Sequence, residues 1–189
     1  MLVLDIDGTI FRKDYTATKR VKDTLKKIVE KGIKVVLCTG RMYAATKQIA
    51  KELGLTTPVI CYQGGLVKNF CDNEKTLWER TMEKTLALDV IKELKKRKVF
   101  FNLYINDILM VEEDNYLIRQ YVDARNIKYE VVNNCEELDL TGVNKILAID
   151  DDTKLIENLQ KEMAEKYKDK LYVIRSTPRF LSLIHISEP

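Results

Sequence analysis

Residues 1–9 of the chain read MLVLDIDGT, and this stretch decides the fold. Its apolar start is typical of a short buried strand, and the strand ends in two carboxylates, Asp5 and Asp7. Residues i and i+2 of an extended strand point to the same side, so both carboxylates could project beyond the strand's end. Open α/β sheets place their chemistry at such ends. The pair suits a hard cation such as Mg2+ and can divide the roles of nucleophile and proton donor.

Two other interpretations of the acidic stretch compete with the catalytic one. A calcium-binding EF-hand loop would place Gly at its sixth position and Glu at its twelfth. Counting from Asp5, those positions hold Ile10 and Thr16, which excludes an EF-hand. A plain strand followed by an Asp-Gly turn stays open on these residues alone, because such turns are common.

A second strand-like run, KVVLC at residues 34–38, ends in Thr39. Between the two runs, residues 21–29 carry apolar side chains at helical spacing. A strand–helix–strand unit of this kind is parallel and right-handed almost by rule. A second such unit follows, with a helix at about 43–53 and a strand at 59–62. The spacing predicts that the acidic pair and Thr39 lie at one edge of one parallel sheet.

The two motifs together resemble those of the haloacid dehalogenase-like phosphatases. Residues 5–9, DIDGT, match the family's first motif, D-x-D-G-T, and the T-G-R of residues 39–41 is typical of its Cof-type subgroup, which carries a large inserted cap. The resemblance implies that Asp5 attacks the phosphoryl group and forms an aspartyl-phosphate. Asp7 would protonate the leaving oxygen and then activate water. Mg2+ would bind the Asp5 carboxylate and the backbone carbonyl of Asp7.

The resemblance also assigns the phosphate-binding residues. Thr39, Gly8 and Gly40 would hold phosphate oxygens, the two glycines through their backbone. Arg41 is counted with them, although it could instead brace the loop. The implied substrates are small phosphorylated metabolites, such as sugar phosphates or cofactor precursors. A phosphoryl transferase or mutase of the same fold, and a non-catalytic phosphate-binding fragment, are the alternatives.

Beyond the second unit the pattern changes. Gln63-Gly64-Gly65 stands where the subgroup usually has Asn-Gly-Ala, which puts a substrate contact from this loop in doubt. From about residue 70, predicted helices alternate irregularly with strands, and Asn106-Asp107 indicates a hairpin. This mixture predicts a separate α+β domain, which resembles the family's cap. We expect an α/β fold with an incomplete Rossmann-like parallel core at residues 1–69 and an inserted α+β cap domain at residues 70–181.

Three consecutive acids follow the strand predicted at residues 145–149. Asp150, Asp151 and Asp152 could be taken for the family's fourth motif, which supplies the last Mg2+ ligand. That motif normally opens with Gly-Asp, and no glycine precedes Asp150. Capping of the next helix by Asp152 or Thr153 is the simpler explanation.

The chain ends in LSLIHISEP, a string that looks like the in-frame translation of a sequencing adapter. We therefore expect residues 182–189 to be a non-native tail, although the alternating apolar residues also fit a natural strand. The family's third motif, a lysine after Gly-Val-Ser, and its acidic fourth motif are not found in the sequence. We expect a truncated chain that is nearly inactive by itself, with His185 belonging to no site.

Composition narrows the class of protein. The 189 residues are 46% hydrophobic and 32% charged, and the net charge of +3 is too small to favour a nucleic-acid partner. The sequence shows no signal peptide or membrane span, so we expect a cytoplasmic enzyme without a membrane partner. The four cysteines form no C-x-x-C pair, which argues against zinc or disulfides. Nothing in the sequence predicts the oligomeric state.

Overall fold

The structure is a computed structural model that describes residues 1–185. The chain forms two compact units: the first contains Met1–Glu79 and Ala124–Ile127, and the second contains Arg80–Asp123 and the residues from Lys128 onward. Residues 70–79, which the sequence assigns to the cap, lie in the first of these units. That these units are the core and cap domains stays a prediction.

The first unit contains both strand–helix–strand units that the sequence predicts. In chain order, the elements are β1 (Leu2–Leu4), α1 (Lys19–Glu30), β2 (Val35–Leu37), α2 (Tyr43–Glu52) and β3 (Val59–Cys61). Strands β1 and β2 pair in parallel, with Leu4 beside Leu37, and Cys38 forms a parallel bridge to Ile60 of β3. The ends of β1 and β2 therefore lie side by side at one edge.

Local chemistry determines where α1 begins and ends. The Thr18 hydroxyl accepts a hydrogen bond from the backbone N–H of Val21 at 3.2 Å, which caps the first turn. After the last turn, Gly32 adopts a φ of 75°, the left-handed conformation that commonly ends a helix. The chain can then reverse and enter β2 parallel to β1.

Two strands of the first unit were not predicted. Strand β4 (Leu66–Asn69) pairs antiparallel with β3 on one side and with β5 (Lys75–Glu79) on the other, which gives the order β3–β4–β5. All five residues of β5 are exposed. A strand without a buried face has no alternation of apolar and polar residues to reveal it.

The second unit is built on a six-stranded sheet. Its elements are α3 (Lys84–Lys96), β6 (Phe100–Ile105), β7 (Ile108–Val111), α4 (Tyr116–Asp123), β8 (Glu130–Val131), β9 (Val143–Ile149), α5 (Thr153–Lys166), β10 (Leu171–Thr177) and β11 (Phe180–His185). The strand order is β10–β11–β9–β6–β7–β8. Strands β7 and β8 pair in parallel, and the other neighbours are antiparallel. The mixed α+β pattern is the one predicted.

The hairpin between β6 and β7 is also confirmed. Asn106 and Asp107 have φ values of 49° and 63°. A two-residue turn with both central residues in the left-handed region is type I′, which matches the twist of the flanking strands. Ile105 and Ile108 consequently face each other as a pair.

The last described strand extends beyond its expected end. Residues 182–185 continue β11, which pairs with β9 on one side and β10 on the other. Leu183 is fully buried in the apolar core that this sheet forms with α3 and α5. The alternation of apolar residues thus produces a strand, while residues 186–189 of the expected tail lie outside the described residues. The origin of the tail is not tested by this pairing.

The six-stranded sheet also buries two asparagines, one with a side-chain hydrogen bond and one without. Asn144 accepts a hydrogen bond from the backbone N–H of Asp107 at 3.2 Å. Asn102, in the middle of β6, is 0% exposed, and neither its side-chain oxygen nor its nitrogen has a hydrogen-bond partner among the described residues. A buried amide in that state lowers stability, because it has lost water without gaining a partner.

Replacing the two asparagines should therefore have opposite effects. Asn102→Leu should raise the free energy of unfolding by about 1–3 kcal/mol, because it removes an unpaired polar group. The matched variant Asn144→Leu should lower it by about the same amount, because it leaves the Asp107 N–H unpaired. Urea unfolding followed by circular dichroism measures both. Destabilisation by Asn102→Leu would show that this amide has a partner, such as an internal water.

Candidate active site

Asp5 stands directly after β1 and is exposed. No described residue forms a hydrogen bond or ion pair with its carboxylate. The carbonyl of Leu4 accepts a hydrogen bond from the Cys38 N–H at 2.9 Å, which places Asp5 beside Cys38. Burial, and secondly the negative charge of Asp5, raise the pKa of the Cys38 thiol. This edge of the sheet therefore offers an accessible carboxylate next to a thiol that stays protonated at neutral pH.

Asp7 is held by Arg41 in a bidentate ion pair. Arg41 Nε donates to Asp7 Oδ2 at 2.8 Å, and Arg41 Nη2 donates to Asp7 Oδ1 at 2.6 Å. The Arg41 side chain is only 8% exposed, whereas that of Asp7 is 45% exposed. Of the two roles left open for Arg41, bracing is the one that this geometry provides. A contact of Arg41 with phosphate stays a prediction.

Aromatic rings surround the Arg41 guanidinium. Its Cζ atom lies 5.5 Å from the centre of the Phe11 ring and 5.6 Å from that of Tyr15. Both distances fall within the range of cation–π attraction. The rings thus keep Arg41 away from water while its hydrogen-bonding edge meets Asp7.

Thr39 and Gly40 follow β2 at the same edge. Thr39 is buried, its N–H donates to the carbonyl of Ile60 at 3.0 Å, and its hydroxyl accepts from the Arg41 N–H at 3.3 Å. By contrast, Gly8 has a φ of 80° and open space where a Cβ would stand. The structure thus joins the two motifs through Asp7 and Arg41, whereas the backbone N–H of Gly8 donates to the carbonyl of Phe11 at 3.0 Å.

The loop after β3 holds the second motif from its other side. Backbone N–H groups of Tyr62 and Gln63 donate to the carbonyls of Arg41 and Thr39, at 3.1 and 3.0 Å. The Gln63 side chain lies over Gly40, where an added Cβ would come within 3.3 Å of it. Both Tyr62 and Gln63 have positive φ values, a strained conformation that tends to mark functional loops. The sequence shows Gln63 where the subgroup usually has Asn, but it gives no indication that the Gln63 side chain lies over Gly40.

The three acids after β9 all form local contacts, and Asp150 accepts from the backbone N–H of Asp152 at 2.8 Å. Asp152 caps α5 by accepting from the N–H groups of Lys154 and Leu155, as predicted. Asp151 accepts from the Tyr116 hydroxyl at 2.7 Å and pairs with Arg179. Across residues 1–185, no group of three or more His, Cys, Asp or Glu side chains is arranged to hold a metal.

Two further expectations concern cysteines and membranes. All four cysteines are free thiols, and Cys61 and Cys135 are buried. Within the described part of the chain, every helix is too short or too polar to cross a membrane.

Comparison with known proteins identifies relatives along nearly the whole chain. The model of the haloacid dehalogenase-like hydrolase family matches residues 2–187. YxeH of Bacillus subtilis (strain 168) is 29% identical over 197 residues, which cover 98% of this chain and 70% of YxeH. The 5-amino-6-(5-phospho-D-ribitylamino)uracil phosphatase YitU of the same bacterium is 28% identical over 124 residues, 62% of this chain and 44% of YitU.

Solved structures agree with the sequence match. The crystal structure of TM0651 from Thermotoga maritima has a TM-score of 0.82 at 28% identity, covering 98% of this chain and 69% of that one. A haloacid dehalogenase-like hydrolase from Bacteroides thetaiotaomicron has a TM-score of 0.86 at 22% identity, which supports the predicted α/β fold. With a family match that runs from residue 2 to residue 187, this chain belongs to the haloacid dehalogenase-like hydrolases.

Proposed function

We propose that the acidic pair after β1 hydrolyses small phosphate monoesters with Mg2+ as cofactor. The observation that carries the proposal is the different surroundings of the two carboxylates. Arg41 donates hydrogen bonds to both carboxylate oxygens of Asp7. Asp5 is exposed, and its carboxylate has no hydrogen bond or ion pair with the described residues. Carboxylates placed in such different environments are suited to different chemical roles.

Asp5 is the nucleophile in this mechanism. One of its oxygens attacks the phosphorus, and the bond between phosphorus and the alcohol oxygen breaks, which yields an aspartyl-phosphate. Asp7, in its protonated form, gives its proton to the departing oxygen. Ionised Asp7 then takes a proton from water as that water attacks the aspartyl-phosphate. Inorganic phosphate leaves, Asp5 is regenerated and Asp7 is protonated again.

Mg2+ fits the donor set at this edge of the sheet. In proteins Mg2+ is commonly bound by one or two carboxylates, with water and substrate phosphate completing its shell. The exposed Asp5 carboxylate and the Asp7 backbone carbonyl would hold it. When bound, it would withdraw negative charge from the phosphoryl oxygens. Thr39 and the backbone at Gly8 and Gly40 would orient the phosphate.

The names of two relatives support the proposed class of substrate. YitU is named for a phosphorylated ribitylaminouracil, and pyridoxal phosphate phosphatase YbhA of Escherichia coli is 27% identical over 113 residues, 41% of its length. The phosphorylated ribitylaminouracil and pyridoxal phosphate are both small phosphorylated metabolites. A transferase or mutase would pass the phosphoryl group to an alcohol instead of water, so phosphate release separates these functions. The cytoplasmic location and the low activity of this chain by itself stay predictions.

The nucleophile is to be tested in an enzyme completed with the family's third and fourth motifs, because this chain is expected to be nearly inactive by itself. Asp5→Asn should abolish Mg2+-dependent hydrolysis of p-nitrophenyl phosphate, because an amide does not attack phosphorus. Asp7→Asn should slow hydrolysis roughly 100- to 10,000-fold, because it removes the proton donor. Asp23→Asn, in an exposed position on α1, is the matched control and should leave the rate unchanged.

A second readout does not depend on turnover. Beryllofluoride mimics a phosphoryl group on a carboxylate, and fluorine NMR detects the adduct. The wild type should form this adduct with Mg2+, and Asp5→Asn should not. An adduct that persists in Asp5→Asn would refute the assignment of the nucleophile.

Cysteine reactivity offers an independent test of the surroundings of Asp5. Burial raises the pKa of Cys135 from 9.0 to about 12, which lowers its thiolate fraction roughly 1,000-fold at neutral pH. Iodoacetamide at pH 8 should therefore modify exposed Cys71 first and Cys38 and Cys135 much more slowly. Asp5→Asn should speed the modification of Cys38, because the Asp5 charge helps to raise the pKa of that thiol. Mass spectrometry of peptides measures each rate, and equal Cys38 rates in the two proteins would contradict the placement of Asp5.

A further inference from the structure

The loop after β1 forms a closed turn from Arg12 to Thr16. The Arg12 N–H donates to the Thr16 carbonyl and the Tyr15 N–H donates to the Arg12 carbonyl, both at 3.0 Å. Asp14 accepts from the Thr16 hydroxyl at 2.7 Å and from Arg12 Nη2 at 3.0 Å. Within this turn Tyr15 has a φ of 58°, a conformation uncommon for an aromatic residue. The turn therefore fixes the Tyr15 backbone, from which the ring projects, at the expense of backbone strain.

Two guanidinium groups meet the Tyr15 ring. The Cζ atom of Arg41 lies 5.6 Å from the ring centre, and that of Arg125 lies 5.1 Å from it. Arg125 Nη2 also donates to the Tyr15 hydroxyl at 3.4 Å. Arg125 belongs to the short segment Ala124–Ile127, which is part of the first unit. The electron-rich ring attracts both cations, although they carry the same charge.

Arg41 connects this ring to the proposed acid and base. One edge of its guanidinium binds both oxygens of Asp7, and its Cζ atom also lies near the Phe11 ring. A nearly buried guanidinium takes its orientation from the groups packed around it. Moving the Tyr15 ring would therefore turn the donors that hold Asp7.

We propose that Tyr15 and Arg125 are positioning residues that act on Asp7 through Arg41. The Arg12–Thr16 turn and Arg125 orient the Tyr15 ring, and the ring holds Arg41 at the angle that grips both Asp7 oxygens. This inference rests on the proposed role of Asp7 in proton transfer, where a small misplacement of the donor has a large effect on rate. Tyr15 and Arg125 stand 110 positions apart in the chain, so the sequence offers no sign of the arrangement.

Hydrogen exchange of the Arg41 Nε–H, followed by proton–nitrogen NMR on the full chain without substrate, tests the proposal. Tyr15→Leu removes the ring and should speed this exchange roughly 3- to 30-fold, the factor that corresponds to losing one cation–π contact. Tyr15→Phe keeps the ring and should stay within a factor of about two of the wild type, since only the hydroxyl contact is lost. Arg125→Leu should give an intermediate rate. Tyr172→Leu, in an exposed position on β10, is the control and should change nothing.

Two controls separate positioning from general packing and from failure of the proposed function. Urea unfolding shows whether the exchange rate merely follows global stability. If Tyr15→Leu does not fold, Arg125→Leu tests the proposal instead, because it removes the contact that orients the Tyr15 ring. Unchanged Arg41 exchange, or an increase that also occurs in Tyr172→Leu, would overturn the proposal.

Where hydrolysis is measurable, Tyr15→Leu should lower kcat and leave KM unchanged. Faster exchange in a protein that forms no beryllofluoride adduct on Asp5 would refute the proposed function and leave the positioning role intact.

Discussion

The ion pair between Asp7 and Arg41 is the interaction on which the rest of the site depends. It joins residues 34 positions apart in the chain, and it connects the end of β1 to the turn after β2. Because the guanidinium is almost buried and the carboxylate is not, removing Asp7 would leave a buried charge without its partner, which is far more destabilising than losing an exposed ion pair. The pair is therefore a structural link, and in the proposed mechanism it also fixes the position of the proton donor.

This link needs the parallel sheet. Strands β1 and β2 place Asp5 beside Cys38 through the hydrogen bond between Leu4 and Cys38, and Thr39 continues toward β3 by bonding to Ile60. The strained loop at Tyr62 and Gln63 then holds the carbonyls of the second motif. Three adjacent strand ends thus orient the acidic pair, the hydroxyl and the arginine together, which no single loop could do with the same rigidity.

Sequence reasoning located what depends on local periodicity and capping, and it missed what depends on contacts across the chain. Helices α1, α2 and α5 show apolar spacing, and the Asp152 cap of α5 can also be identified without a structure. Strand β5 was missed because none of its residues is buried, and β11 runs beyond its expected end because its alternating residues pair on both sides. The sequence did not decide the role of Arg41, because binding phosphate and bracing the loop both suited this residue. The contact between Tyr15 and Arg125 leaves no trace in either local sequence, since neither residue requires the other to form its own turn or helix.

In the proposed mechanism, the unequal exposure of the ion pair also lets a salt bridge coexist with proton transfer. An exposed guanidinium would exchange its carboxylate for water with little cost, because surface ion pairs contribute little stability. Phe11 and Tyr15 shield Arg41 instead, so its attraction for Asp7 acts in a less polar environment and is stronger there. Asp7 itself stays half exposed, and each carboxylate oxygen keeps a second lone pair after accepting from Arg41. One side of the group is thereby fixed in direction while the other stays available to a substrate oxygen or a water.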